Sequence, residues 1–141
     1  MQAARRCRCT LLVVRPRTIL VVDDDPDIRR IAALSLQRIG GFCVSLAASA
    51  QEALELARRA LPDLLLLDVS MPGTDGPAML AALRADPATE RVPVVFLTAM
   101  ASDDQIARLR ALGVLDVISK PFDLVGLPAR IRDIISQTGL R

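Results

Sequence analysis

Four short runs, Ile19–Val22, Leu64–Leu67, Val94–Leu97 and Val117–Ser119, are apolar or nearly so and alternate with stretches of helical period. Runs this short read as strands, and continuous apolarity without alternation marks strands covered on both faces, as in a parallel sheet. Each run stops at a residue able to handle a phosphoryl group: Asp23 with Asp24 and Asp25, then Asp68, Thr98 and Lys120. Parallel strands all point one way, so these stops converge on the carboxyl edge, where open α/β sheets hold ligands.

The intervening stretches carry helix boundaries. Pro26 suits a first helical position behind an Asp25 N-cap, Ile28, Ile31, Ala32, Ser35 and Ile39 share one face, and Gly40-Gly41 ends the first helix. Ser49-x-x-Glu52 opens a second helix that ends before Pro62, and Ser102-x-x-Gln105 opens a fourth that ends at Gly113. A third helix follows the loop Met71–Gly76 and ends near Asp86-Pro87. A fifth fills about 127–137, starting late because Pro128 would break a bond within an earlier helix. With Phe42–Leu46 as one more strand, five strands alternate with five helices. That alternation predicts an α/β fold of three layers, α/β/α, around a five-stranded parallel sheet with right-handed crossovers.

Composition narrows the chemistry. At 141 residues and 52% hydrophobic, the chain is long enough for one domain with a proper core. No apolar stretch approaches the roughly 18 to 20 residues of a membrane span, and Leu11–Val14 is too short for a signal-peptide core, so a cytoplasmic protein with no membrane contact is expected. Residues 1–17 hold five arginines and no acid, while the remainder has 13 basic and 16 acidic groups, or −3. The domain boundaries predicted are a basic, disordered arm over 1–17 and a globular unit over 18–138. There is no histidine, which excludes Ser-His-Asp and Cys-His catalysis and rules the chain out as a phosphohistidine donor. Cys7, Cys9 and Cys43 are too few for a zinc site without carboxylate help, and Cys43 reads as a small buried hydrophobe on a strand.

A carboxylate can attack a phosphoryl group if the developing negative charge is neutralised. Magnesium suits that task, since it takes oxygen ligands and is usually held by one or two carboxylates with phosphate oxygens. Asp23 and Asp24 can supply or orient such ligands. Asp68 ends a buried run with no helix starting at once, and an unpaired carboxylate there would be costly without a function. Thr98 can donate a hydrogen bond to one phosphoryl oxygen, and Lys120, the only lysine against seventeen arginines, can bind another as a compact charge. Asp103 and Asp104 fall in a first helical turn, where the dipole favours acids, and Asp75 and Asp123 read as caps.

At these residues the chain resembles the receiver domains of two-component response regulators. The resemblance runs from about Thr18 to Ser136 and is carried by ILVVDDDPDIRR, PDLLLLDVSMPGTDG, VPVVFLTAMAS and ISKPFD in the family's order. It implies the flavodoxin-like strand order 2-1-3-4-5 and a signalling switch rather than an enzyme beyond its own phosphorylation and dephosphorylation. By resemblance Asp68 accepts phosphate from a sensor histidine kinase or phosphotransfer protein. Asp23, Asp24, Asp68 and the Ser70 backbone carbonyl hold Mg2+, and Thr98 and Lys120 contact the phosphoryl group. The Lys120-Pro121 bond is expected cis. Output runs through the face of helix four, strand five and helix five to an effector protein or a second copy of the chain.

Departures from the family pattern fall on that face. Val117 stands where an aromatic switch residue is usual, three positions before the lysine, and the chain has no tyrosine or tryptophan. Ser70 and Met100 occupy positions that tune phosphate lifetime in the family. A haloacid-dehalogenase-type phosphatase uses similar parts, but begins with its nucleophile and ends with its acidic pair, whereas here the pair comes first and Asp27 is followed by Ile28. A receiver-fold binding module with weakened switching is the remaining alternative. Five arginines without interleaved aromatics give little reason to expect direct nucleic-acid binding, and a chain ending soon after the fifth helix suggests a stand-alone unit.

Overall fold

The computed structural model describes residues 17–71, 74–99, 102–120 and 122–138. The apolar runs form β1 (Thr18–Val22), β2 (Cys43–Ala47), β3 (Leu64–Asp68), β4 (Val94–Thr98) and β5 (Asp116–Ser119). All are parallel, in the order β2-β1-β3-β4-β5, the 2-1-3-4-5 order expected. Between them lie α1 (Pro26–Leu34), α2 (Ala50–Arg59), α3 (Gly76–Ala85) and α4 (Asp103–Arg110), and α5 (Gly126–Thr138) follows the last.

Alternation along each strand divides the core into two layers. Ile19, Val21, Leu64, Leu66, Val95 and Leu97 pack with Ala32 and Leu36 from the first helical segment and with Leu127, Ile131, Ile134 and Ile135 of α5. Their neighbours Leu20, Val22, Leu65, Leu67, Val94 and Phe96 pack with Ala53 and Ala57 of α2, Met79 and Leu83 of α3, and Leu109 of α4. All five residues of β3 and of β4 are buried, which is why those runs show no polar alternation. Each fully buried leucine contributes about 1.5 to 3 kcal/mol relative to an exposed one.

The caps read from sequence form. The Asp25 carboxylate accepts from Asp27 N–H at 2.9 Å, Ser49 Oγ from Glu52 N–H at 3.2 Å, and Ser102 Oγ from Gln105 N–H at 3.3 Å. The Asp123 carboxylate accepts from Gly126 N–H, and its carbonyl from Leu127 N–H at 3.2 Å. This starts α5 one residue before Leu127 and leaves Pro128 in the first turn, where a missing N–H breaks no bond.

Several local features differ from expectation. The first helix does not run unbroken to Gly40: it becomes a π turn over Ser35–Ile39. Ser35, buried there, donates from Oγ to the Leu124 carbonyl at 2.6 Å, and Arg132 of α5 donates to the Ile39 and Gly40 carbonyls. Phe42 does not begin the second strand, because its N–H turns back to Leu36 O at 2.9 Å; Cys43 begins it instead by donating to Arg17 O at 2.9 Å. Arg17 therefore already pairs with the sheet, and the disordered-arm expectation for 1–16 falls outside the described residues. Cys43 is half-buried rather than a buried hydrophobe, since β2 is an edge strand covered on fewer sides, and it is disulfide-bonded.

The expected loop before α3 contains a two-residue antiparallel ribbon that pairs Ser70 with Asp75 and Met71 with Thr74. The Asp75 side chain, expected as a cap, is outside the described residues. Gly76 closes the ribbon by donating to Val69 O at 2.7 Å, and a Cβ there would lie 2.9 Å from Val69 Cα and 3.2 Å from Phe96 Cε1. Backbone at that distance cannot yield cheaply, so Gly76→Ala is expected to cost about 1 to 3 kcal/mol in urea denaturation. An unchanged midpoint would show that the ribbon and α3 shift freely.

Candidate functional site

The strand ends place the expected residues together. Asp23 directly follows β1 and extends its ladder by donating to Ala47 O at 3.1 Å. Asp68 ends β3 opposite Leu97, Thr98 ends β4 opposite Ser119, and Lys120 N–H donates to Thr98 O at 2.7 Å. The main chain of each residue is thus fixed by sheet hydrogen bonds rather than left in a free loop. Asp23, Asp68 and Thr98 are 0%, 4% and 3% exposed, Lys120 is half-buried, and Asp24 is exposed.

The lysine joins the carboxylates. Lys120 Nζ lies 2.8 Å from Asp23 Oδ2 and 3.3 Å from Asp68 Oδ1. Burial works against its charged form, but the hydrogen bond and charge of Asp23, followed by those of Asp68, outweigh it and hold the ammonium above its ordinary pKa. A buried carboxylate needs such a partner. Asp23, Asp24 and Asp68 each offer an oxygen within 4.8 Å of the others, so three carboxylates stand against one ammonium. That excess, with an all-oxygen donor set, fits a hard divalent cation.

The two members of the acidic pair differ in how they are held. Both Asp23 carboxylate oxygens are engaged, Oδ1 by Asp25 N–H at 3.0 Å and Oδ2 by Lys120. Asp24 has no hydrogen-bond or ionic partner among the described residues. Asp23 is therefore tied into the protein, whereas the Asp24 carboxylate is available to a ligand. Asp25 serves as a cap and stays out of the cluster. The Ser70 backbone lies in the ribbon two residues past Asp68, and its side chain is outside the described residues. So are Pro121, on which the cis-bond expectation falls, and Met100, on which the lifetime expectation falls.

Three arginine contacts were not apparent from the sequence. Arg29, half-buried on α1, donates from Nη1 to the Asp23 carbonyl at 2.7 Å. An arginine one turn into the helix after an acidic run was the only signal. Asp116 of β5 accepts from Arg110 of α4 and Arg130 of α5, both at 2.8 Å, tying the three elements together. Beside it Val117 is 4% exposed and packed in the core, so the described face has no ring at the position where an aromatic is usual.

Partial burial pushes the Asp116 carboxyl up, but the hydrogen bonds from Arg130, Val117 N–H and Arg110 outweigh it and hold it below its ordinary value of 3.8. A depressed folded-state pKa contributes stability above the unfolded value, and that contribution disappears as pH falls through the folded one. Asp116→Asn is therefore expected to melt lower than the parent at neutral pH, with the gap closing as the pH falls below the ordinary value of 3.8 and through the depressed folded-state one. A gap independent of pH would assign the loss to packing instead.

Residues 19–132 match the response regulator receiver domain family. The chain is 36% identical over 123 residues to the phosphate regulon transcriptional regulatory protein PhoB of Pseudomonas aeruginosa, covering 87% of this chain and 53% of that protein. It is 42% identical over 128 residues to the transcriptional regulatory protein PrrA of Mycobacterium leprae, covering 90% and 53%. It thus spans about half the length of these curated relatives. Among solved structures, the chemotaxis response regulator CheY4 of Vibrio cholerae superposes with a TM-score of 0.78 at 29% identity, covering 85% of this chain and 99% of that one. With the strand order and the clustered strand-end residues, these matches show that the chain belongs to the receiver domain family of two-component response regulators.

Proposed function

We propose that this receiver domain takes a phosphoryl group onto Asp68 from the phosphohistidine of a sensor kinase or phosphotransfer protein, in a reaction that requires Mg2+. The observation that carries this reading is the buried Asp68 carboxylate at a strand end, 3.3 Å from the ammonium of Lys120 and clustered with two further acids. An Asp68 oxygen attacks phosphorus, forming a new P–O bond as the donor's P–N bond breaks and the electron pair leaves with the imidazole. Asp24, Asp68 and the Ser70 carbonyl would hold the magnesium ion, with Asp23 orienting the set. Bound there, the ion would neutralise charge developing on the phosphoryl oxygens. Lys120 would turn its ammonium from Asp68 to a phosphoryl oxygen, and the hydroxyl of Thr98, at the neighbouring strand end, would donate to another.

Output then passes through α4, β5 and α5 to an effector protein or a second copy of the chain. Buried Val117 supplies no ring for that step, which leaves the Arg110–Asp116–Arg130 contact as the feature joining all three elements. No helix among the described residues is long and apolar enough to cross a membrane, and a cytoplasmic site of action fits a kinase phosphodonor. Incubation with acetyl phosphate tests the reading: intact-mass measurement should show one added phosphoryl group with magnesium and none with EDTA. Uptake unaffected by EDTA would contradict it.

A further inference from the structure

Asp24 needs a definite direction to act as a ligand, yet no side chain or backbone group among the described residues holds its carboxylate. Its aim is set by the main chain, and above all by the peptide plane joining Asp23 to Asp24. The carbonyl of that peptide accepts the 2.7 Å hydrogen bond from Arg29 Nη1. Arg29 forms no ion pair among the described residues, so this contact is the only partner of a half-buried guanidinium. A cation placed beside an acidic cluster without pairing to it weakens, by charge alone, the pull on a divalent ion. The geometry it imposes acts in the opposite direction, by fixing the peptide before any ligand arrives.

From this arrangement we infer that Arg29 is a positioning residue for magnesium: by clamping the Asp23 carbonyl it orients the Asp23–Asp24 peptide and aims Asp24 into the cluster with Asp68. The inference rests on the reading of this edge as a magnesium site. Charge and hydrogen bonding predict effects of opposite sign, which makes the two separable. Arg29→Met keeps the unbranched stem and removes both donor and charge, whereas Arg29→Lys keeps a charged donor on a similar stem.

Magnesium affinity is measured by titration calorimetry on the full chain without phosphodonor, with thermal melting in EDTA as the folding control. Arg29→Met is expected to bind magnesium roughly tenfold more weakly, the lower end of what one hydrogen bond to a charged group supplies. Arg29→Lys should stay within roughly threefold of the parent if its ammonium remakes the contact. A purely structural role would lower the melting temperature in EDTA and leave the affinity of the folded fraction unchanged. Arg29→Met binding magnesium as tightly as the parent, or more tightly, overturns the inference. Asp24→Asn is the separate control: if the parent fails to bind magnesium, or binds no better than that variant, the site assignment fails rather than the role of Arg29.

Discussion

Asp68→Asn is expected to take up no phosphoryl group from acetyl phosphate and magnesium, while the parent takes up one. The substitution is nearly isosteric and leaves β3 packed as before, but it replaces an anionic nucleophile with an amide that cannot form a stable acyl phosphate. Folding should survive, because Lys120 keeps its 2.8 Å partner in Asp23 and the cluster loses one of three mutually repelling carboxylates. Chemical denaturation is expected to show Asp68→Asn at least as stable as the parent in EDTA. Intact mass and denaturation together separate loss of chemistry from loss of fold, and phosphoryl uptake that persists in a folded Asp68→Asn would overturn the assignment.

Lys120→Met carries the largest expected effect on stability. It removes the ammonium that compensates Asp23, a carboxylate with no exposure to solvent, and leaves the crowded acids with no cation paired to them among the described residues. Removing one partner of a buried ion pair typically costs about 3 to 5 kcal/mol, and a loss in that range is expected in urea denaturation with EDTA. Saturating magnesium should restore part of it, since a ligand that binds only the native state at about a hundred times its Kd adds about 2.7 kcal/mol. The pH dependence follows from the raised pKa of Lys120. A raised folded-state value contributes stability below the unfolded pKa, near 10.5, and that stability is lost as pH rises through the folded value. The gap between parent and variant should therefore be full at neutral pH and shrink in strong alkali. An unchanged midpoint in EDTA at neutral pH would mean that Lys120 is not what makes the buried acid tolerable.

What the sequence disclosed depended on the range of the interaction behind each feature. Leu64–Leu67 identified β3 because burial on both faces leaves no polar position to confuse the period. Asp25, Ser49 and Ser102 were readable as caps because a capping bond spans only two or three residues. Asp23, Asp24, Asp68, Thr98 and Lys120 could be brought together across nearly a hundred residues, since parallel topology makes every strand end point to one edge. Contacts with no such rule stayed hidden. The π turn at Ser35–Ile39 is held by the Leu124 carbonyl, just ahead of α5, and by Arg132 of α5, and nothing local in SLQRI announces it. Arg110, Asp116 and Arg130 are ordinary surface charges until α4, β5 and α5 are assembled. Cys43 looked like core because its residue type suits a core, but its strand lies at the sheet's edge.

Borohydride trapping most directly tests the central claim, that the crowded acids at this edge exist to receive a phosphoryl group on one of them. The chain is phosphorylated by acetyl phosphate with magnesium, reduced so that any acyl phosphate becomes an alcohol, and mapped by peptide mass spectrometry. The account predicts homoserine at position 68, abolished by EDTA during phosphorylation. Homoserine at Asp23 or Asp24 with Asp68 intact, or a phosphoryl group retained on a hydroxyl after reduction, would contradict it.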